Sequence, residues 1–405
     1  MTVGLNRHRR EADYMWTPRD FSYRKFSRKW KQDGAVDAVR SSAEFATRKL
    51  LAPPICHSLI ERGITRTLDR SGLLASADRV YTTERGVVAT HPIDPAESEF
   101  VVELDGGYVF PNTGLATDVS GRPIRESVEP PQKRNNFVIE TFVWHAFHDS
   151  PRLTGALLRN DTSTLDSFAK SIDVACPLCP RFANYYHWLI ETVPKIRYAR
   201  AYKSAVDVDV TYLVPGDAPS WLGETLNLLG VPESSIEHAT AAVYDVDRLL
   251  IPSFPELKPE NYHWIRDAVL ESASVDRDAI GAGNNVFISR ANAIERRVVN
   301  ERDIVTTLRE YGFEPYRLED QTVAENAVLF NEADAVVGAH GAGLTDLIYC
   351  DDTLIVELFG SKIKDPYEEL AAVVDVPYRS IQCQPDSTDL RADTEYICQS
   401  IKNIV

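Results

Sequence analysis

Short apolar runs alternate with amphipathic stretches along the last third of the chain. The runs at 286–288, 335–337 and 354–358 are rich in β-branched residues, as buried strands are, and 314–318 occupies the position of a further strand. Helix signals separate them. Asn300 stands at an N-cap position, Gly312 at a C-terminal position, and Thr322 and Glu325 have capping-box spacing. This alternation predicts an α/β fold with a doubly wound sheet.

The region before residue 281 carries a second, looser α/β pattern. A hairpin is predicted around Asp105-Gly106-Gly107, with strands at 99–104 and 108–110. Further extended segments are predicted at 136–147, 211–214 and 248–251, and helices at 184–200, 220–229 and 262–270. The glycine-rich stretch 281–285 has the composition of a linker. We therefore expect an N-terminal arm at 1–50, an α/β domain at 51–280 and a second α/β domain at 281–405.

Charge is distributed unevenly along the 405 residues. Residues 1–50 hold 12 Lys or Arg against 6 Asp or Glu, whereas the whole chain has a net charge of -16. The acidic body argues against broad nucleic-acid binding. The basic arm, with Trp30 among its cations, is expected either to be solvated and partly disordered or to touch anionic lipid. Because the sequence has no apolar stretch that would cross a bilayer and no secretory core, it predicts a cytoplasmic protein, peripheral at the inner face of the membrane if the arm binds lipid.

The six cysteines give no disulfide framework in a chain of this length. Cys176 and Cys179 have the spacing of two metal ligands, but a structural zinc site needs a second pair, which the sequence does not offer. Asp207 and Asp209 have the spacing of an acidic pair for a divalent cation, yet they precede a predicted strand instead of following one. The sequence therefore predicts no metal site.

A glycine-rich loop follows the strand predicted at 335–337. It runs Gly338-Ala339-His340-Gly341-Ala342-Gly343-Leu344-Thr345 and leads into a predicted helix. Such loops lie at the carboxyl ends of parallel strands, where helix N–H groups meet anions such as phosphate. Ser289-Arg290 and Arg296-Arg297 follow the first strand of the same unit, so their guanidinium groups are expected at that edge and suit a diphosphate. Arginines that are solvated or paired with acids are the alternative.

A candidate acid–base pair lies in the helix predicted at 184–200. His187 and Glu191 are four residues apart and share one helix face. A carboxylate can remove a proton from a hydroxyl nucleophile, and a neighbouring histidine can hydrogen-bond the carboxylate or the substrate. A surface helix pair, or a histidine satisfied within the core, is the alternative. Zinc binding through the pair would need a third ligand, which the sequence does not identify.

Glu357 ends the strand predicted at 354–358, where related nucleotide folds place an acidic residue on ribose hydroxyls, although a strand-end salt bridge would also explain it. Two other enzyme classes use loops of this kind. An α/β-hydrolase would use residues 340–343 as an oxyanion loop, but the Gly-x-Ser-x-Gly elbow is absent from the sequence. An NAD(P)-dependent oxidoreductase would have Gly-x-Gly-x-x-Gly, which differs in order from the Gly-x-x-Gly-x-Gly present here.

Three of these segments together resemble glycosyltransferase family 61. They are residues 184–194, 290–301 and 338–345, taken in their order and spacing. The resemblance implies a GT-B architecture, in which two Rossmann-like domains face a cleft and the C-terminal domain binds the nucleotide sugar. It also implies transfer with inversion at the anomeric carbon, without an obligatory metal or another cofactor.

The resemblance also implies roles for individual residues. It makes Glu191 the base, with His187 beside it, and it places Glu357 at the ribose. The residues it places around the diphosphate are Arg290, Arg297, His340, Gly341, Ala342, Gly343, Leu344 and Thr345. It implies a nucleotide-sugar donor, a UDP-sugar first among them, and a glycan or lipid-linked glycan acceptor in surface-polysaccharide or glycoprotein glycan synthesis. A non-catalytic subunit that binds nucleotide sugar is the alternative outside the enzymes.

Overall fold

The computed structural model describes most of the chain from residue 99 onward. The described residues are 99–124, 127–128, 150–180, 182–275, 285–361 and 363–402, with short pieces at 30–31, 34–35, 39, 79–82 and 87–89. Most of the basic arm, the extended segments predicted at 136–147 and residues 281–284 of the linker lie outside the described residues. The linker and the division into domains therefore stay predictions.

The first sheet joins an antiparallel part to a parallel part. Its strands are β1 (Arg79–Thr82), β2 (Val87–Ala89), β3 (Phe100–Phe110), β4 (Leu115–Asp118), β5 (Pro123–Ile124), β6 (Ala169–Pro177), β7 (Thr211–Val214), β8 (Ile236–His238) and β9 (Val243–Pro252). The order is β2-β1-β3-β9-β6-β7-β8, with β4 beside β3 and β5 beside β4. Since β9, β6, β7 and β8 are mutually parallel, the carboxyl ends of β6 and β9 lie at the same edge.

Helices pack around these parallel strands. The α-helices are α1 (Pro151–Arg159), α2 (Thr162–Asp166), α3 (Pro194–Val206), α4 (Ser220–Leu228) and α5 (Pro259–Ser272), with a π-helix at His187–Thr192 and a 3₁₀ turn at Glu233–Ser235. Local sequence determines where several of them begin. Ser150 accepts hydrogen bonds from the first turn of α1, and prolines, which need no N–H partner in a first turn, open α3 and α5.

The second sheet is parallel throughout. Its strands are β10 (Asn285–Ile288), β11 (Phe313–Tyr316), β12 (Ala335–Ala339), β13 (Leu354–Phe359) and β14 (Tyr378–Gln382), ordered β11-β10-β12-β13-β14. The accompanying elements are α6 (Glu301–Leu308), α7 (Val323–Asn331), α8 (Pro366–Val374), α9 (Thr394–Ile401), 3₁₀ segments at Arg309–Tyr311, Leu318–Asp320 and Ala342–Tyr349, and the hairpin strands β15 (Gln384–Asp386) and β16 (Asp389–Arg391). The strand order reverses direction between β10 and β12, as in doubly wound sheets.

Alternating side chains bury both faces of the second sheet. Val286 and Ile288 of β10 belong to an apolar cluster that includes residues of α7 and α8, whereas Phe287 between them packs with residues of α6 and α9. We call the first sheet with its helices, within residues 79–275, the first half of the molecule, and residues 285–402 the second half. The first of these clusters continues from the second half into the first, where it includes Trp188 and Tyr262. The two halves therefore share an apolar core, and the predicted α/β fold class is confirmed.

Several local predictions for residues 285–402 are confirmed, whereas one for residues 99–110 is wrong. The Thr322–Glu325 capping box and the left-handed Gly312 (φ 76°) are confirmed. The predicted hairpin at residues 105–107 is wrong, because β3 runs unbroken through them and pairs with β9 on both sides. The chain turns later, at the left-handed Gly114 (φ 70°), after which β4 pairs with β3.

Asn300 occupies the position before α6 that the sequence predicts, but it does not cap the helix. Its side-chain amide instead makes two hydrogen bonds with the backbone of Ala392, which is distant in sequence. The Nδ2 of Asn300 donates to the Ala392 carbonyl, and the Ala392 N–H donates to Oδ1. This cross-link holds the start of α6 against the segment before α9. No helix in the described part of the chain is long and apolar enough to span a membrane.

Candidate functional site

The strand order of the second sheet marks one place for a ligand. Doubly wound sheets bind ligands at the carboxyl edge where the strand order reverses, which is here between β10 and β12. Ile288 at the end of β10 pairs with Gly338 of β12. The residues that follow lead to Arg290 on one side and to the glycine loop on the other. Two segments predicted to bind diphosphate are therefore adjacent.

Arg290 lies directly against the glycine loop. A Cβ atom built on Gly341 would be 2.1 Å from Nη1 of Arg290 and 2.8 Å from its Cζ. Only a residue without a side chain leaves room for the guanidinium at this distance. The backbone of Gly341 is extended (φ 176°), so glycine is needed for space and not for a left-handed conformation.

We expect Gly341→Ala to displace the Arg290 guanidinium and to lower affinity for a nucleotide diphosphate by about tenfold, the value of one lost charged contact. The fold should survive, since the clash is with the end of a flexible side chain. Calorimetric titration with UDP measures the effect. Gly223→Ala in α4 is the matched control, because a Cβ there has no neighbour within 4 Å. Equal affinity in both variants would show that the Arg290 position does not matter for binding.

Arg296 adds a second cation beside Arg290. Burial and, to a smaller extent, the neighbouring charge of Arg296 lower the pKa of Arg290 to about 10. The Nε atoms of both arginines are buried and have no hydrogen-bond partner among the described residues, although Arg296 also lies 3.8 Å from the carboxylate of Glu295. Two adjacent cations with unused donors form an arrangement that an anion would stabilise.

Arg297, predicted to bind diphosphate, is engaged elsewhere. Its Nη2 lies 3.3 Å from Oδ2 of the buried Asp389, and its backbone N–H donates to Oδ1 at 3.1 Å. This is the acid-paired alternative, but the Nε of Arg297 is buried without a hydrogen-bond partner among the described residues, and its contact with a diphosphate stays a prediction. The backbone of Arg296 is left-handed (φ 60°), a local feature that the charge pattern does not reveal.

His340 is held in place by Glu357. His340 Nδ1 and Glu357 Oε1 are 2.5 Å apart, and the other carboxylate oxygen accepts a hydrogen bond of 2.6 Å from Tyr378. Glu357 is fully buried with both oxygens occupied, and its contact with ribose stays a prediction. In this structure it orients the imidazole of His340. Because Nδ1 is engaged, Nε2 is the ring nitrogen of His340 that remains for a ligand.

The rest of the loop contributes backbone and packing. Ala342 and Gly343 are half-buried and begin the segment Ala342–Tyr349, which is a 3₁₀ helix and not an α-helix. A Cβ on Gly343 would lie 2.8 Å from the side chain of Leu318. The side chains of Leu344 and Thr345 are buried, with Thr345 beside Tyr367. The N–H groups of His340 and Leu344 donate to the carbonyls of Leu358 and Gly341, so the groups predicted to meet an anion are the N–H groups of residues 341–343 and the imidazole of His340.

His187 and Glu191 are placed by a π-helix. The Val193 N–H donates to the carbonyl of Trp188, five residues back, at 2.8 Å. Such turns occur frequently at functional sites. His187 Nδ1 lies 2.8 Å from Glu191 Oε2, and the two side chains are 30% and 26% exposed. The predicted pair is thus formed and is open to solvent, unlike a histidine satisfied within the core.

Two tyrosines connect this pair with the glycine loop. Tyr186 contacts the ring of His187 at 5.5 Å between centroids and the ring of Tyr367 edge-on at 5.7 Å. Tyr367 in turn lies 5.4 Å from the ring of His340 and within electrostatic range of Arg290. The structure therefore brings both predicted groups of site residues to one region. Neither tyrosine was identified from the sequence.

A buried hydrogen bond also joins the two halves. The hydroxyl of Tyr185 donates to Oδ1 of Asp346 at 2.7 Å. Burial raises the pKa of Asp346 to about 7, while the hydrogen bond from Tyr185 opposes the shift. The folded chain thus holds the proton of Asp346 more tightly than the unfolded chain does.

We expect Asp346→Asn to stabilise the protein more at pH 8 than at pH 5. The pKa of this carboxyl rises from 3.8 to about 7 on folding, so its contribution to the unfolding free energy falls as the pH rises through that interval and is lowest above pH 7. Asparagine stays neutral, and its advantage should grow by about 3 kcal/mol between the two pH values. Urea unfolding measures this. Asp351→Asn, which replaces an exposed carboxylate nearby, is the matched control, and a flat difference for Asp346→Asn would contradict the argument.

The candidate metal ligands do not form a metal site in the described ranges, where no group of three His, Cys, Asp or Glu is arranged to hold an ion. Cys176 and Cys179 are buried, and burial raises the pKa of the Cys176 thiol to about 12, which disfavours the thiolate that a metal requires. Asp207 ends α3, and Asp209 pairs with Lys203 at 2.8 Å on the surface.

Comparison with known families identifies one match. Residues 185–356 match the model of the family described as Glycosyltransferase 61. The matched range contains the His187–Glu191 pair, Arg290, Arg296 and the glycine loop, and it ends one residue before Glu357. No curated protein matches the chain. The family resemblance of the sequence is confirmed.

Proposed function

Because residues 185–356 match the model of glycosyltransferase family 61, we propose that the chain is an inverting glycosyltransferase. It moves a sugar from a nucleotide-diphosphate sugar to a hydroxyl group of a glycan or glycoconjugate. The observation that supports this most is the contact of Tyr186 with Tyr367, which joins a solvent-open carboxylate–imidazole pair to a cationic glycine-loop site. In this proposal the two halves are the lobes of a GT-B arrangement.

Glu191 is the proposed base. Its carboxylate takes the proton of the acceptor hydroxyl while that oxygen attacks the anomeric carbon of the donor sugar. The bond from the anomeric carbon to the diphosphate oxygen breaks, and the nucleotide diphosphate leaves with the electron pair. A single displacement of this kind inverts the configuration. His187 Nδ1 lies 2.8 Å from Glu191 Oε2, and this hydrogen bond orients the carboxylate.

The cationic site stabilises the leaving group. Arg290 and Arg296 provide unused N–H donors, and the glycine loop lets Arg290 lie against its backbone. Negative charge builds on the diphosphate in the transition state, and fixed donors in a partly desolvated site stabilise such charge most. Nε2 of His340, held by Glu357 through the opposite nitrogen, adds a further contact. The proposal involves no cofactor. Its donor substrate is a nucleotide sugar, and a UDP-sugar is the first candidate.

Two alternatives from the sequence are less well supported. An NAD(P)-dependent oxidoreductase does not account for the family match. A non-catalytic subunit that binds nucleotide sugar would not need the preformed pair of His187 and Glu191. We place the enzyme in surface-polysaccharide or glycoconjugate assembly, with a glycan or lipid-linked glycan as acceptor, at the inner face of the membrane if the basic arm binds lipid.

Thermal-shift measurements against UDP-, GDP- and TDP-sugars test the proposal. We expect one nucleotide class to raise the midpoint of unfolding, because a ligand that binds only the folded state stabilises it. In a second measurement, the protein should slowly release the corresponding nucleotide diphosphate as it transfers the donor sugar to water or to an added acceptor sugar. If no nucleotide sugar binds, the transferase proposal fails. If one binds but no bond to the sugar is ever broken, the non-catalytic alternative replaces it.

A further inference from the structure

Lys195 is a buried cation that the proposed mechanism does not use. It lies in the first turn of α3, and only 8% of the residue is exposed. Its ammonium group sits 4.0 Å from the centre of the Phe254 ring, just after β9 ends. Cys176, near the end of β6, is close enough to influence its charge. Lys195 therefore lies at the carboxyl edge of the parallel part of the first sheet.

The ammonium group of Lys195 has no oxygen partner among the residues that the structure describes. It makes neither a hydrogen bond nor a salt bridge with any of them, and it lies over the ring of Phe254. Burial raises the pKa of the Cys176 thiol to about 12, so this neighbour is neutral and offers no countercharge. An ammonium carries three N–H donors, and removing most of their water without supplying protein acceptors is costly. The missing acceptor is what a bound ligand can supply.

Glu191 lies close to this ammonium. The two residues are four positions apart across the junction of the π-helix with α3, which corresponds to about 6 Å along a helix axis. The charge of Glu191 raises the pKa of Lys195, although burial, the larger effect, lowers it to about 8, so the lysine stays charged at neutral pH. A ligand that offers its hydroxyl to Glu191 can thus offer another group to Lys195.

We propose that Lys195 binds a negatively charged substituent, a carboxylate or a phosphoryl group, on the acceptor sugar, and that the acceptor is accordingly an acidic glycan. Hexuronic acids and sugar phosphates carry such a group within a few bonds of their ring hydroxyls, so one sugar can present a hydroxyl to Glu191 and a negative charge to Lys195. This inference rests on the proposed function for its identification of the ligand as an acceptor.

Ligand-observed NMR with the intact protein tests the inference, with and without UDP. The probes are methyl glucuronide, glucose 6-phosphate and the neutral methyl glucoside, so the first two separate a carboxylate from a phosphoryl group. We expect at least one acidic sugar to bind about tenfold more tightly than the neutral one. Lys195→Met should abolish this preference, whereas Lys195→Arg, which keeps the charge, should retain much of it. Lys203→Met is the matched control, because it removes an exposed lysine from the same helix.

Two results would overturn the inference. One is equal binding of acidic and neutral sugars by the unaltered protein, which decides the matter even if Lys195→Met does not fold. The other is a folded Lys195→Met protein that keeps the preference. Failure of the transferase proposal gives a different pattern, in which no nucleotide sugar binds while the acidic sugars are still preferred in the absence of UDP.

Discussion

Glu191→Gln is expected to lower the rate of sugar transfer by a factor of about 10² to 10⁴, the usual contribution of a general base. The amide has the same shape as the carboxylate and can still accept a hydrogen bond from His187 Nδ1, 2.8 Å away in the unaltered protein. It cannot, however, take a proton from the acceptor hydroxyl. Affinity for the nucleotide sugar should change little, since the proposed diphosphate contacts, Arg290, Arg296 and the glycine loop, belong to the part of the chain that forms the second sheet.

The measurement compares turnover with donor affinity in the same preparation. Nucleotide diphosphate release gives the rate, and calorimetry with the unreactive nucleotide diphosphate gives the affinity. A suitable control is Glu233→Gln, because Glu233 also faces a histidine, His238, at 3.5 Å, but its carboxylate is 83% exposed on the surface. Normal turnover in Glu191→Gln would reject the base assignment. A parallel loss of rate and affinity would instead mean that Glu191 helps to hold the donor.

The second half of the chain was predictable because its signals are local. A capping box, a left-handed glycine and β-branched runs each act within a few residues, and each is found where expected. The failed hairpin at Gly106-Gly107 shows the opposite case. Glycines that favour a turn in isolation stay within β3 because β9 pairs on both sides of them, a contact made 140 residues away.

The π-helix was also beyond the sequence pattern. His187 and Glu191 fall on one face at four-residue spacing in either kind of helix, so periodicity predicts the pair without distinguishing the two. The hydrogen bond from Val193 to Trp188 is what defines the wider turn. The sequence could thus predict which side chains form the pair, but it could not predict the backbone geometry that holds them.

The proposed anion site also has features that the sequence predicts and features that it does not. The sequence places Arg290 and the glycine loop at one sheet edge, because parallel strands align their carboxyl ends. It does not decide between Arg296 and Arg297, which differ by one position, and it does not find Tyr367 or Tyr378, which approach from α8 and β14 without any motif. These contacts depend on long-range packing, which also leaves Glu357 buried.

Arg290→Ala is expected to weaken nucleotide diphosphate binding by about 100-fold, or about 3 kcal/mol, the value of one or two charge-assisted hydrogen bonds in a desolvated site. The ligand-free protein should lose little stability. Burial and the adjacent Arg296 already lower the pKa of Arg290 to about 10, which means that its charge is held at a cost when no anion is present. Binding and stability should therefore respond in different proportions.

Calorimetry with UDP and with inorganic pyrophosphate separates the contribution of Arg290 from contacts to the base. Both ligands should lose affinity to a similar degree, because the guanidinium meets the part they share. Arg297→Ala is the control, because it also removes one positive charge near the proposed anion site, but from an arginine that is already paired with Asp389. Should Arg297→Ala prove as damaging as Arg290→Ala, the second arginine was assigned wrongly. Should neither variant change affinity, the anion lies elsewhere than the reversal point between β10 and β12.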